Sequence, residues 1–388
     1  MRKTGKATQA IHGRRDTSYH SVNYPVYNSS TFAVNSSDDY EGIFDQGGDD
    51  RYSYTRYGNP TVRNVEEKLA KLEHGEDAVL FSSGMAAITA ALLSLVDKDD
   101  GLAVSSRLYG VTHDFVRNFL PRFGIDVHFL DEDELYDLPR YAPNVKAVYF
   151  ETPNNPNCAC VSIPQVVEAA KQIGAVTIVD NTFASPVNQN PLDFGVDVVL
   201  HSVTKYIGGH SDLMAGAVIS RKALIQPIHY MMTLLGGCIN PQDAALIDRS
   251  LKTLIVRVTQ QNENAQRLAE FFSAEKKVKR VHYPGLSDSP YHAVAKAQMS
   301  GFGGMMAIDL EDLDAAKTFC DSLELAFNAT SLGGVDTLVS LPVLTSQRHF
   351  SEEELRAIDV TPGTIRISIG LEDVDDLIRD FEQALAKV

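Results

Sequence analysis

Past residue 60 the chain settles into short apolar runs separated by stretches of helical spacing, whereas the first 60 residues are rich in Ser, Asn, Asp, Gly and Tyr and show little periodicity. That opening segment reads as an extended arm with no core of its own, expected to lie on a neighbouring subunit. Val65, Leu69 and Leu72 predict a helix over Val65–His74, and Gly84–Val96 predicts another. Ala78–Phe81, Leu102–Ser105, Asp126–Leu130, Ala147–Glu151, Val176–Asp180 and Val196–His201 are short β-rich runs. Helical stretches at Thr112–Phe123 and Pro164–Ile173 fall between several of them. This alternation predicts an α/β architecture with a large, mostly parallel sheet covered by helices. A long helical region, Pro241–Ser273, leads into a smaller α+β unit. Its strands are expected near Gly304–Leu310 and Ile365–Ile369, and its helices near Leu313–Leu323 and Val374–Lys387. The boundaries that follow are an arm (1–60), a large domain (61–255) and a C-terminal domain (256–388).

Length agrees with this division, since 388 residues exceed what one ordinary core organises. The net charge of −16 makes nucleic acid and anionic membranes poor partners. No apolar run is long enough to span a bilayer, and the basic N-terminus lacks the apolar segment of a secretory signal. The four cysteines, Cys158, Cys160, Cys238 and Cys320, form no disulfide framework in so long a chain, so reduced thiols in the cytoplasm are expected. No metal site is expected: there is no HExxH, and Cys158-Ala-Cys160 has the wrong spacing for zinc.

Candidate chemistry lies at the carboxyl ends of the predicted strands, where open α/β sheets gather ligands. After Ala78–Phe81 come Ser82-Ser83-Gly84-Met85 and a helix start, which suits an anion such as phosphate and equally suits a plain N-cap. Asp180 ends an apolar strand, where it needs a positive partner or serves as a turn cap. Lys205 follows Val196–His201 and precedes Gly208-Gly209; it is either a snorkelling surface residue or a desolvated, nucleophilic amine. Ser202 and Thr204 alternate with their neighbours, so both hydroxyls can face one ligand. A phosphate cradle, a buried Asp and a strand-end Lys on one sheet match pyridoxal 5′-phosphate (PLP), with the Lys as Schiff-base amine and the Asp on the pyridine nitrogen.

The segment Ser202-Val-Thr-Lys205-Tyr-Ile-Gly-Gly-His210 resembles the cofactor-lysine motif of the Cys/Met-metabolism PLP enzymes, the γ-lyases, γ-synthases and sulfhydrylases of transsulfuration. So do Tyr54-Thr-Arg56-Tyr-Gly-Asn-Pro-Thr61, Ser83-Gly84-Met85, Leu108-Tyr109-Gly110 and Glu151-Thr-Pro-Asn-Asn155-Pro156. Asp180-Asn-Thr182, Ser331-Leu-Gly-Gly334 and Arg366-Ile-Ser-Ile-Gly-Leu-Glu372 complete the set in family order, covering residues 7 to about 386.

The resemblance implies a fold type I PLP-dependent transferase, with 61–255 as the PLP-binding domain. It implies Lys205 as cofactor lysine and proton shuttle, Asp180 on the ring nitrogen, Tyr109 stacked on the ring, and Asn155 near the ring hydroxyl. Ser83, Gly84, Met85, Thr182, Ser202 and Thr204 would line the cofactor. Tyr54 and Arg56 would reach the phosphate of a neighbouring subunit in a homotetramer of active dimers. Arg366 would grip the substrate α-carboxylate, assisted by Ser331 and Asn155. Either Tyr54 or Tyr109 would protonate the leaving sulfur, and the resemblance favours Tyr109.

The expected reaction is γ-elimination on L-methionine, L-cystathionine or homocysteine, giving 2-oxobutanoate, ammonia and a thiol. The alternative is γ-replacement on an O-acylhomoserine, as by a cystathionine γ-synthase or an O-acylhomoserine sulfhydrylase. A non-catalytic PLP-binding protein is the remaining class. Four departures from the family pattern leave the substrate open: Val111, where methionine γ-lyases carry Cys; Ser53, where several cystathionine-handling members carry an acid; Asp336 for Glu; and Leu341-Pro-Val-Leu-Thr-Ser-Gln347.

Overall fold

The computed structural model describes residues 4–40, 43 and 51–388, so the expected 1–60 arm lies partly outside the described residues. A seven-stranded sheet runs in the order β1-β7-β6-β5-β4-β2-β3. Its strands are β1 (Asp77–Phe81), β2 (Gly101–Ser105), β3 (Asp126–Leu130), β4 (Val145–Glu151), β5 (Val176–Asp180), β6 (Val198–Ser202) and β7 (Gly216–Ser220). The β3-β2-β4-β5-β6 ladder is parallel throughout, and β7 runs antiparallel to both β6 and β1. Such a sheet needs cover on both faces, and its central strands are accordingly apolar on both sides. Val198 and Leu200 join one core with helix α3 (Gly84–Leu95) and helix Lys222–Leu235. Val179 and Val199 pack on the opposite face with helix Ile163–Ile173, and Ala217 and Ile219 with α2 (Pro60–Leu72). Helix α2 starts sharply because Asn59 accepts from Thr61 N at 2.9 Å and Pro60 takes the first turn. Its Val65, Leu69 and Leu72 are fully buried, and truncating one such leucine to alanine costs about 2–5 kcal/mol.

The second sheet has five strands in the order β10-β11-β12-β9-β8: β8 (Arg280–His282), β9 (Met305–Asp309), β10 (Phe327–Asn328), β11 (Leu338–Ser340) and β12 (Thr364–Ser368). Helices Leu254–Ala274, Leu313–Asp321 and Val374–Ala386 share its core. Helix Leu254–Ala274 spans the two units: Leu254 and Val258 belong to the core under α2, and Leu268 and Phe272 to that of the small sheet.

The structure differs from the periodicity reading in several places. The Pro241–Ser273 stretch is two helices, broken at Lys252–Thr253. The Thr112–Phe123 stretch begins as an α-turn, widens into a π-turn over Phe115–Phe119 and tightens to a 3-10 turn where Pro121 removes a donor. The arm is not wholly extended, because helix α1 (Lys6–Ile11) folds onto its own chain. Lys6 Nζ donates to Pro186 O at 2.6 Å, and Lys68 Nζ donates to Ala10 O and Ile11 O while pairing with Asp248 at 2.7 Å. Beyond it, Tyr19 and Val22 are almost fully exposed. No helix among the described residues is long and apolar enough to cross a membrane.

Candidate active site

Glu151, Asp180 and Ser202 end β4, β5 and β6 on the same edge of the large sheet, and α3 starts beside them. Ser83 caps α3 by accepting from Ala86 N at 3.1 Å. The start of α3 lies so close to β6 and β7 that only glycine fits at two positions. A Cβ on Gly84 would sit 2.9 Å from Ser202 Cβ, and one on Gly216 would sit 2.2 Å from Ser83 O. Backbone N–H groups at this helix start, flanked by Ser202, form a cradle for an anion. The Thr204 hydroxyl is already engaged, accepting from Ala215 N at 2.9 Å and reaching Ala215 O at 3.2 Å.

Asp180 Oδ1 accepts from Thr182 N at 2.9 Å, and Thr182 Oγ1 accepts from Ser202 N at 2.8 Å, so the β5 and β6 ends are tied together. Burial pushes the Asp180 carboxyl up, against the pull of the Thr182 hydrogen bonds and the His201 ring. Glu151 pairs with Asp180 across the β4–β5 ladder. Burial, and then the Asp180 charge, hold Glu151 well above the usual carboxylate range. Glu151 Oε1 accepts from Tyr109 N at 2.9 Å and so anchors the turn that carries the partly exposed Tyr109 ring. Ser346 O closes on this turn from the other side, 2.1 Å from where a Gly110 Cβ would lie.

Lys205 Nζ donates to Ser331 Oγ at 2.9 Å. Burial lowers the Lys205 amine to about 8, with Arg366 acting in the same direction. Ser331 holds φ at +86°, a conformation unfavourable for a residue with a side chain. It is used from both ends: its hydroxyl meets Lys205 and its carbonyl accepts from Arg366 Nη2 at 2.9 Å. Arg366, on β12, also donates to Asn155 Oδ1 at 3.0 Å. Arg366 is buried, yet it forms no ion pair with any carboxylate among the described residues; burial lowers it to about 10. A buried guanidinium held only by neutral acceptors is chemically suited to pairing with a carboxylate.

The structure therefore brings together Ser83, Gly84, Met85, Tyr109, Asn155, Asp180, Thr182, Ser202, Thr204, Lys205, Ser331 and Arg366 from both sheets. It does not bring Tyr54 and Arg56 to them within this chain. Arg56 Nη1 reaches Thr233 O at 3.5 Å and lies over the Tyr54 and Tyr57 rings. It lines a separate cavity of about 540 Å3 with Glu66, His229 and Thr233.

Sequence reasoning assigned no role to Glu151, or to Arg257. Arg257 donates to Tyr206 O at 2.8 Å and Ile207 O at 3.4 Å, and so holds the turn after Lys205. That turn passes through Gly209 at φ +70°, where a Cβ would meet Arg257 Nη1 at 1.9 Å. Arg257 sits in the first turn of helix Leu254–Ala274 with no motif around it, so only the fold reveals it. Cys158 and Cys160 are buried and unpaired, and among the described residues no cluster of His, Cys, Asp or Glu could hold a metal ion.

An anion cradle at a helix start, a largely desolvated carboxylate that forms no ion pair among the described residues, and a desolvated lysine at the same strand ends are the donor set that PLP requires. The residues present fit that cofactor.

Comparison with known proteins agrees. The sequence model of the Cys/Met metabolism PLP-dependent enzymes matches residues 7–386. An L-methionine gamma-lyase of Fusobacterium nucleatum subsp. polymorphum is 40% identical over 399 residues, covering 100% of this chain and 99% of that protein. A cystathionine beta-lyase of Bacillus subtilis (strain 168) is 40% identical over 385 residues, covering 98% of this chain and 96% of that one. Among solved structures, the cystathionine gamma synthase of Xanthomonas oryzae pv. oryzae in complex with aminoacrylate and cysteine superposes with a TM-score of 0.92. It has 38% identity and covers 99% of this chain and 98% of that one.

Proposed function

The chain belongs to the Cys/Met metabolism PLP-dependent enzyme family, and from that premise we propose that it is a carbon–sulfur lyase performing γ-elimination on a sulfur amino acid, L-methionine, L-cystathionine or homocysteine. One observation carries the reading. The Lys205 amine and the unpaired Arg366 guanidinium meet at a single residue, through the hydroxyl and the carbonyl of Ser331. An amine-reactive centre beside a carboxylate site is the signature of an α-amino-acid substrate.

In this reading the N–H groups at the start of α3, with Ser83, Gly84, Met85, Ser202 and Thr204, hold the cofactor phosphate. Asp180 would accept a hydrogen bond from the ring N–H and so keep that nitrogen protonated, while Tyr109 and Asn155 would hold the ring and its hydroxyl. Bound there, PLP supplies the electron sink that makes the substrate Cα–H and Cβ–H bonds labile and lets the γ-substituent depart. Arg366 grips the α-carboxylate with its fork and fixes which Cα bond faces Lys205. Lys205 removes and returns protons at Cα and Cβ; an amine near 8 is poised for both directions. The Tyr109 hydroxyl donates the proton that the departing sulfur needs. Tyr54 and Arg56 complete the phosphate site of a neighbouring subunit, in a homotetramer of active dimers. We place the enzyme in the cytoplasm, a reading supported by its four unpaired cysteines.

Replacement at Cγ is the second reading, supported by the likeness to the γ-synthase. A product panel tests both. Release of 2-oxobutanoate from L-methionine, L-homocysteine or L-cystathionine is the expected result. Pyruvate from L-cystathionine would instead place bond cleavage at Cβ, and thioether formation from an O-acylhomoserine and L-cysteine without 2-oxobutanoate would establish replacement.

A further inference from the structure

Beneath the ends of β5 and β6 lies a buried polar knot that no motif announces. Its centre is Glu73, the residue that closes α2, which is 0% exposed. Glu73 Oε1 meets His201 Nε2 at 2.5 Å and Asn181 Nδ2 at 2.7 Å, and Oε2 meets Asn190 Nδ2 at 3.1 Å. The Asn181 and Asn190 amide nitrogens can only donate, so both carboxylate oxygens are acceptors and the hydrogen shared with His201 is assigned to the imidazole. Gln189 extends the knot, donating from Nε2 to Asn181 Oδ1 and Thr152 O, each at 2.9 Å.

The placement of these partners matters. Asn181 directly follows Asp180, and His201 directly precedes Ser202 on the strand that leads to Lys205. One carboxylate thus holds from below the two strand ends that carry Asp180 and Lys205. A buried carboxylate is a poor way to gain stability, because desolvation cancels most of what its hydrogen bonds return. It is a good way to fix geometry, since each of its donors is left unsatisfied if the strands shift. The His201 ring also opposes the effect of burial on Asp180. Lys6 on α1 is a further charged group that interacts with Glu73, and it also interacts with Asp193.

We propose that Glu73 is a positioning residue of the cofactor site, acting through Asn181 and His201 to set how Asp180 meets the ring nitrogen of PLP. The inference rests on the reading of Asp180 given above.

The test uses holoenzyme loaded with PLP labelled with 15N at the ring nitrogen, and reads the ring-nitrogen resonance and the cofactor dissociation constant. Glu73→Gln sets an amide NH2 among converging donors. It should move the resonance and raise the dissociation constant about tenfold, the usual scale for removing a group that orients a ligand-binding side chain. His201→Asn keeps an amide donor facing Glu73 but removes the ring. It should also move the resonance, with a smaller loss of affinity, and it decides the matter alone if Glu73→Gln fails to fold. Asp180→Asn separates the two readings. If Asp180→Asn moves the resonance while Glu73→Gln and His201→Asn lower only the melting temperature, Glu73 is structural and the inference is overturned. If Asp180→Asn leaves the resonance in place, the reading of Asp180 fails and carries the inference with it.

Discussion

Arg366 Nη1 donates to Asn155 Oδ1 at 3.0 Å, a contact that joins a strand of the small sheet to the loop after β4 of the large one. Among the described residues no acid pairs with the guanidinium, and in the proposed reading its counter-charge is the substrate α-carboxylate. Arg366→Lys keeps the charge and loses the planar fork. The expected loss is about 2 kcal/mol, roughly 30-fold in kcat/KM, expressed mainly as a raised KM. Steady-state kinetics check it; an unchanged KM would remove Arg366 from carboxylate binding.

Lys205 yields a prediction about the apoenzyme. Its amine sits near 8 in the folded chain against 10.5 for an ordinary lysine. The unfolded chain therefore binds more protons between these values, and the penalty is fully present below pH 8 and fades as pH rises toward 10.5. Lys205→Met removes it. At pH 7 the variant apoenzyme should resist denaturant better than wild type by up to about 3 kcal/mol. The gap should close as pH rises through the window. Denaturant midpoints measured across pH 7–10.5 test this, and a constant gap would show that burial does not perturb the amine. The same variant should lack the visible absorbance of a covalently held cofactor.

Lys205, Asp180 and Gly84 were legible for one physical reason. Each lies at or within three residues of the end of an apolar strand, where a charged or flexible residue is costly without a purpose, so its chemistry stands out. β7 was not legible, because Gly216-Ala-Val-Ile-Ser220 follows closely on the lysine motif and its reversed direction depends on pairing that no local pattern encodes. The edge strands β8 and β10, and β11 beside β10, are too short to show a period. Glu73, Glu151 and Arg257 were hidden because their partners lie far away along the chain. Glu73 closes a helix that looks purely structural, and its role emerges only when Asn181 and His201 arrive from 108 and 128 residues away.

Burial and then Asp180 push Glu151 well above the usual carboxylate range, and what it gives Tyr109 N is an acceptor oxygen. Glu151→Gln preserves a carbonyl oxygen facing Tyr109 N and should leave kcat/KM within about twofold of wild type. Glu151→Ala leaves that part-buried N–H without its acceptor and should cost about 1–3 kcal/mol, seen as a fall of about fivefold or more in kcat/KM. If Glu151→Gln is as damaging as Glu151→Ala, the carboxyl itself is required and the role of Glu151 as a plain acceptor for Tyr109 N fails.

Arg56 and Tyr54 test the assembly itself. In this chain Arg56 faces Thr233 and lies away from Lys205. If it serves a neighbouring subunit, Arg56→Ala and Lys205→Ala damage the same site from opposite chains. Each variant alone should be strongly impaired. When they are denatured and refolded together in equal amounts, half of the active dimers are hybrids. In each hybrid one site pairs the intact Lys205 of one chain with the intact Arg56 of the other, while the second site carries both lesions. Activity should then recover to about a quarter of wild type, because half the dimers each regain one of two sites. Refolding each variant separately and mixing afterwards should give no recovery until subunits exchange. If the co-refolded mixture regains no activity while sizing shows that hybrids form, Arg56 does not act across the interface, and its contact with Thr233 within the chain is its working position.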